Sequence, residues 1–113
     1  MSNHYDHTEE RDGCTITLEC LPEYDTPDWD FESEEEKQEL FRKIDNGVVL
    51  WFCAKVSAHK NGILLASDYL GGCCYDDINQ FLNDVYYQDM VETVINEAKQ
   101  AIVGLNKWLK KTT

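Results

Sequence analysis

Three groups of residues in this 113-residue chain have the types and spacing that chemistry needs. The first is Gly71-Gly72-Cys73-Cys74-Tyr75, followed by Asp76, where a glycine turn can expose a thiol. A nucleophilic cysteine also requires a lowered pKa, from a helix start or a nearby His or Lys, and a base to take its proton. His59 is the only histidine beyond residue 13, and buried structural thiols are the competing reading. The second group, His4, Asp6, His7, Glu9 and Glu10, has the donors for a divalent ion. It falls in a segment without apolar periodicity, so adventitious binding is expected rather than a dedicated metal site. No Gly-rich phosphate loop, nucleophile elbow or H-E-x-x-H motif occurs. The expectation is a chain that is not an enzyme, with no catalytic residue and no cofactor.

The third group is the richest. Residues 22–36, PEYDTPDWDFESEEE, hold eight carboxylates and no Lys or Arg. They lack the Gly and the ligand spacing of an EF-hand loop. Asp28, Trp29, Asp30, Phe31 and Glu32 alternate acid with ring at the period of a strand, whose side chains point to opposite faces. Acidic runs are usually disordered, but interleaved aromatics are what a half-buried segment uses. Carboxylates on alternate strand residues stand roughly 6.6–7 Å apart, about two nucleotide rises of roughly 3.4 Å along one DNA strand. The expected partner-binding residues are Glu23, Asp25, Asp28, Trp29, Asp30, Glu32, Glu34 and Glu35. The competing reading is an edge strand whose outward charge prevents aggregation.

Charge supports the emphasis on this stretch. Of a net −12, residues 1–45 carry −11 (fifteen acidic against four basic) and residues 46–113 carry −1 (seven against six). Such a field repels nucleic acid and anionic membrane and attracts basic protein surfaces. Direct nucleic-acid binding, which needs clustered Lys and Arg, is not expected. The five cysteines form no CxxC pair and lie near no histidine at metal-finger spacing, so a reduced, disulfide-free protein is expected. No apolar run approaches the roughly 20 residues that span a bilayer. Residues 1–13 lack the basic start and apolar stretch of a signal peptide. A cytoplasmic location follows as the expectation.

The elements that must position these groups can be read in order. Residues 1–13 show no apolar period and read as a flexible lead-in to a single domain over 14–113. Cys14, Ile16, Leu18 and Cys20 alternate with Thr15, Thr17 and Glu19, a half-buried strand ended by Pro22. Ser33 and Glu36 form an S-x-x-E capping box, predicting a helix over 34–45 with Leu40, Phe41 and Ile44 as its stripe and Gly47 as terminator. The run VVLWFCAKVSA over 48–58 reads as a central strand covered on both faces. It leads into Asn61-Gly62, the strongest short-range hairpin signal. An uninterrupted two-residue turn would set Lys60 opposite Ile63 and Lys55 opposite Asp68, leaving Leu50, Phe52, Val56, Ala58, Ile63, Leu65 and Tyr69 on the core face. Asp76 or Asp77 can cap a short helix containing Ile78, Phe81 and Leu82. Finally, Tyr87, Val91, Val94, Ala98, Ala101, Leu105 and Trp108 recur at spacings of four and three, predicting a helix over 86–109 that covers the sheet. The same stripe could pair two chains, so a monomer or a homodimer through this helix is expected. The fold class is α+β: a three- to four-stranded antiparallel sheet, the Asn61-Gly62 hairpin at its centre, packed on a long carboxyl-terminal helix.

The block from Asn61-Gly62-Ile63-Leu64-Leu65 through Leu70-Gly71-Gly72-Cys73-Cys74-Tyr75, with Tyr87, Asp89-Met90-Val91 and Glu97-Ala98, resembles small acidic proteins of bacteriophages and prophages. It covers roughly residues 48–100. Members of that group with assigned roles are often inhibitors of host defence, including anti-CRISPR and anti-restriction proteins that resemble DNA in charge. The resemblance implies a phage or mobile-element context within a host cytoplasm. It carries no functional residue onto this chain, because the shared block is core and turn. The expected function is a non-enzymatic inhibitor that offers an acidic, DNA-like surface to a basic, nucleic-acid-handling host protein. The alternative is a small acidic immunity protein or chaperone that masks a cognate toxin or effector.

Overall fold

Two dipeptides determine how the sheet is folded. Asp12-Gly13 (φ 54° and 79°) and Asn61-Gly62 (φ 52° and 77°) both place two successive residues at positive φ. That geometry matches the twist of the strands it joins and is tolerated by Asn, Asp and Gly. The computed structural model, which describes residues 5–23 and 31–111, accordingly contains two such hairpins. β1 (Tyr5–Arg11) turns into β2 (Cys14–Pro22), and β3 (Leu50–Lys60) turns into β4 (Ile63–Tyr75). β2 and β3 pair antiparallel as well, so the sheet is a four-stranded meander in the order β1-β2-β3-β4. α1 (Glu34–Asp45) lies between β2 and β3; α2 (Ile78–Leu82) and α3 (Val85–Lys111) follow β4.

α2 and α3 cover one face of the sheet. Cys14, Ile16, Leu18 and Cys20 of β2 and Phe52, Ala54, Val56 and Ala58 of β3 are buried with Cys73 of β4 under Tyr87, Met90, Val91, Val94, Ile95 and Ala98 of α3. Phe81 of α2 is fully buried among Phe52, Tyr75 and Tyr87, at ring-centroid distances of 5.4, 5.1 and 5.7 Å. Asp77 caps α2 by accepting from the Gln80 N–H at 3.1 Å. α1 begins at Ser33, whose Oγ accepts from the Glu36 N–H, while the Glu36 carboxylate accepts from the Glu32 N–H, both at 3.1 Å. It ends in a Schellman arrangement: Gly47 at φ 72° donates to the Ile44 carbonyl, and Val48 donates to the Lys43 carbonyl at 2.8 Å.

Five expectations are corrected. Tyr5–Arg11 is a strand rather than part of a flexible lead-in, held by a full register with β2 from Tyr5↔Cys20 to Arg11↔Cys14. Its inward positions carry His7, Glu9 and Arg11 instead of apolar residues, so it has no hydrophobic alternation. The Asn61-Gly62 hairpin is not central, because β4 is an edge. An extra residue, Leu65, enters β4 between the pairs Ala58↔Ala66 and His59↔Leu64. Lys55 therefore faces Tyr69 rather than Asp68, its Nζ 5.7 Å from the ring centroid, and Ile63 and Tyr69 are exposed. β3 is not buried evenly on both faces: Phe52, Ala54, Val56 and Ala58 are buried under α3, while on the opposite face Ser57 is buried and Trp51, Cys53 and Lys55 are half-buried. Last, α3 covers the sheet only as far as Ala98.

The aromatic group around Phe81 joins α2, α3, β3 and β4. Phe81→Ala should cost about 3–5 kcal/mol, read from the urea unfolding midpoint at unchanged slope.

Candidate functional site

Polar chemistry in this fold is concentrated in three places. The first is the junction of β1 with α3. The Tyr87 hydroxyl donates to Glu9 Oε1 at 3.1 Å; Arg11 donates to the same oxygen at 2.9 Å and to Gln88 Oε1 at 3.1 Å. His7 Nε2 lies 3.6 Å from Glu9 Oε2. Thus His7 and Glu9, two of the residues read from sequence as possible cation donors, are engaged with each other and with Tyr87, and Glu9 with Arg11 as well. His4 lies outside the described residues, and among the described residues no cluster of three His, Cys, Asp or Glu is arranged to hold a metal ion. This junction substitutes a hydrogen-bonded polar network for apolar packing at the sheet edge. Burial, reinforced by the Glu9 carboxylate, pushes the Tyr87 hydroxyl well above the ordinary tyrosine range.

The second place holds the thiols. All five cysteines are free. Burial pushes Cys73 up to about 11 and Cys20 up to about 12. Cys53 and Cys74 are raised by burial first, and then by Glu23 and Asp76 respectively. Activation would need the opposite shift. Cys73 lies on the core face and donates to the Leu70 carbonyl at 3.3 Å. The glycines that precede it serve a bulge: between the pairs Phe52↔Cys73 and Ala54↔Leu70, Gly71 and Gly72 stand against Cys53 alone. Gly72, at φ 68°, donates its N–H to Glu23 Oε2 at 2.8 Å. A Cβ on Gly71 would sit 3.0 Å from that same oxygen. Glu23, read from sequence as one of the acidic display residues, therefore has a structural task as well, anchoring the end of β2 to the bulge in β4.

The third place is the acidic end. α1 follows the strand that Glu23 closes, and no residue of α1 is buried. Glu32, Glu34 and Glu35 are exposed, as are Glu36, Glu39 and Asp45. Arg42 pairs with Glu39 at 3.4 Å, with both side chains more than half exposed. Phe31, Leu40 and Lys43, with Glu36 and Glu39 at the rim, line an open hollow of about 330 Å³. Asp25, Asp28, Trp29 and Asp30 fall outside the described residues. Phe31 and Glu32 are not in a strand, so the alternation that suggested one does not extend to the helix start.

The face of the sheet opposite α3 carries polar residues in ordered rows that sequence reading did not find. Thr8, Thr17, Ser57 and Ser67 pair across all four strands, with Ser57 Oγ 3.1 Å from Ser67 Oγ. Asp6, Glu19, Lys55 and Tyr69 form the next row. Such rows depend on register, and register follows from a turn and a bulge rather than from any local residue pattern. No protein-family model, curated protein or solved structure matches the chain. Among the described residues no helix is long and apolar enough to cross a membrane.

Two outcomes follow. Glu9→Ala removes the acceptor shared by Tyr87 and Arg11 and should cost about 1–2 kcal/mol of unfolding free energy, whereas Glu10→Ala, one residue along on the open face, should cost less than half as much. Cys20 and Cys73 ionise at higher pH in the folded protein than unfolded, so the folded state binds the proton more tightly. The resulting stability is fully present below pH 9 and is lost as pH rises toward 11 to 12. A denaturant midpoint that falls between pH 8 and 10.5, with Cys53 and Cys74 labelled before Cys20 and Cys73 by a thiol reagent at pH 8, is the expected result.

Proposed function

We propose that this chain is a non-enzymatic inhibitor that binds a basic, nucleic-acid-handling host defence protein through its acidic end. The observation that carries this reading is α1: a twelve-residue helix with no buried residue, exposed carboxylates over its first turn, and a core that is complete without it. Leu40, Phe41 and Ile44 of α1 are half-buried and none of them joins the core cluster, so the acidic sequence of the helix serves what it presents outside. Carboxylates three or four residues apart on a helix lie about 5–6 Å from one another, close enough to the spacing of alternate phosphates to suit side chains arranged for a nucleic-acid backbone. Display on a capped helix limits the chain entropy lost on binding, compared with the same charges on a disordered tail. Raised thiol pKa values favour a binding role over nucleophilic catalysis by Cys73 or Cys74. The phage context comes from the sequence resemblance alone.

A second reading has its own support. Val103, Leu105, Trp108 and Leu109 are each more than half exposed, which suits an immunity protein or chaperone that anchors a cognate toxin or effector through apolar contacts. Salt separates the two. An acidic display loses affinity steeply as ions screen it, whereas an apolar anchor is nearly indifferent.

The test is a pull-down from host lysate with the wild-type chain and with Asp28, Asp30 and Glu32 reversed to Lys. The expected capture is a protein whose nucleic-acid binding the wild-type chain inhibits. The triple reversal should weaken that capture at least about tenfold, and so should raising salt from 50 to 500 mM. Capture that survives both the reversal and the salt, or a captured protein without a basic groove, sinks the proposal.

A further inference from the structure

The two ends of this molecule are chemically complementary. Its extents are 66 × 23 × 23 Å, and its Cα radius of gyration of 17.8 Å compares with about 13 Å for a compact chain of this length. The elongation follows from topology. β2 ends and β3 begins at one edge of the sheet, where Pro22 pairs with Phe52, so α1 lies at that end. α3 starts beside the same end, after Tyr75, and runs to the opposite one, where Lys99 meets Asp12 of the β1–β2 turn at 3.6 Å. It does not stop there. From Val103 to Lys110 every residue is exposed, with Val103 at 52%, Leu105 at 52%, Trp108 at 61% and Leu109 at 51%.

This projecting end continues the apolar stripe that packs on the sheet, at the same spacing of three and four, beyond the last strand residue able to receive it. A helical end of nine residues, about 13 Å long, that contains Gly104 is a poor helix by itself, since isolated helices below about 12–15 residues are marginal in water. It also reverses the charge of the body. Residues 98–113 hold Lys99, Lys107, Lys110 and Lys111 and no acid, a net +4, while residues 1–97 hold all 22 acids against six bases, a net −16.

Charge decides what fits it. Two such ends packed on each other would bring six lysines together, Lys107, Lys110 and Lys111 of each, with no Asp or Glu between them, which argues against a tail-to-tail dimer. The end of a second copy that carries α1 supplies acidic side chains, of which residues 98–113 hold none. There the hollow beside α1 is lined by the apolar Phe31 and Leu40 and by Glu36, Glu39 and Lys43, with Glu39 in an exposed pair with Arg42. Its volume of about 330 Å³ is at the lower end of the range for small-ligand pockets. α1, at twelve residues or about 18 Å, is long enough to lie along the whole projection.

We propose that the protein associates head to tail: the Leu105–Trp108–Leu109 face of one copy packs against the hollow beside α1 of the next, with Lys107 and Lys110 against Glu36 and Glu39. Because the two surfaces differ, the contact is heterologous, and it extends into open chains unless the rotation closes a ring. Two short helices bury less than about 1,200 Å², the class of weak and transient contacts. The association therefore belongs to high local concentration and low salt. It is independent of the host-protein reading above, since it needs no other protein.

Sedimentation of the full chain over a concentration series up to 1 mM provides the test. At low salt the weight-average mass should climb past the dimer without a plateau, and 500 mM salt should raise the concentration needed about tenfold. A tail variant, Leu105→Asp with Trp108→Asp, and a head variant, Glu39→Lys with Leu40→Asp, should each be monomeric. Mixed one to one, they should form a dimer that does not grow, because one intact head then meets one intact tail. Glu39→Lys alone, on a position more than half exposed, should weaken association at least tenfold while leaving the circular dichroism unchanged, which covers the case in which Leu40→Asp disturbs α1. A wild-type chain monomeric at 1 mM, a head variant that still dimerises, or a mixture that stays monomeric overturns the proposal. So does a monomeric chain whose tail instead binds vesicles containing phosphatidylserine.

Discussion

One face of a four-stranded sheet must be buried by the first half of one helix, and nearly every other feature of this protein is a consequence of that. β2 and β3 present short or branched side chains on that face, Cys14, Ile16, Leu18, Ala54, Val56 and Ala58, so α3 can approach the sheet closely along Tyr87, Val91, Val94 and Ala98. A single layer of contact across roughly four helical turns leaves the outer strands under-covered. β1 meets this deficit with the Glu9, Arg11, Tyr87 and Gln88 hydrogen bonds in place of apolar packing. β4 meets it with α2, which inserts Phe81 between Phe52, Tyr75 and Tyr87.

The same constraint frees both ends. Once the core is satisfied between Cys14 and Ala98, α1 and the last turns of α3 place no fully buried residue in it. One becomes an acidic helix stabilised by its caps, and the other a basic helical projection. The charge separation along the molecule has a physical setting in this arrangement, because the two segments of opposite sign lie at opposite ends of the long axis, far beyond the roughly 10 Å at which exposed charges interact in ordinary salt. Neither end neutralises the other within one chain, so each presents its field outward.

Cysteine chemistry is constrained in the same way. The bulge at Gly71-Gly72 seats Cys73 in the core and leaves Cys53 and Cys74 half-buried near carboxylates, and every thiol with a shifted pKa is shifted toward the unreactive form. The glycines that looked like a device for exposing a nucleophile are the backbone a bulge requires, with Glu23 closing it.

Local information was sufficient wherever a single element determined the outcome. The capping box of Ser33 and Glu36, the terminator Gly47, the Asn61-Gly62 turn, the cap on α2 and the span of α3 could all be read from residues a few positions apart, because caps and turns are satisfied by neighbours in sequence. So could the α+β class and the long helix over a sheet. What only the tertiary structure decided depends on pairing between distant residues. β1 carries Glu9 and Arg11 inward, and nothing in its own sequence says that Tyr87 and Gln88 wait opposite. Leu65 slips the β3–β4 register by one, and no local pattern announces an unpaired residue. Above all, the stripe on α3 reads identically from Tyr87 to Trp108, and only the length of the strands beneath it determines that it is core up to Ala98 and surface beyond.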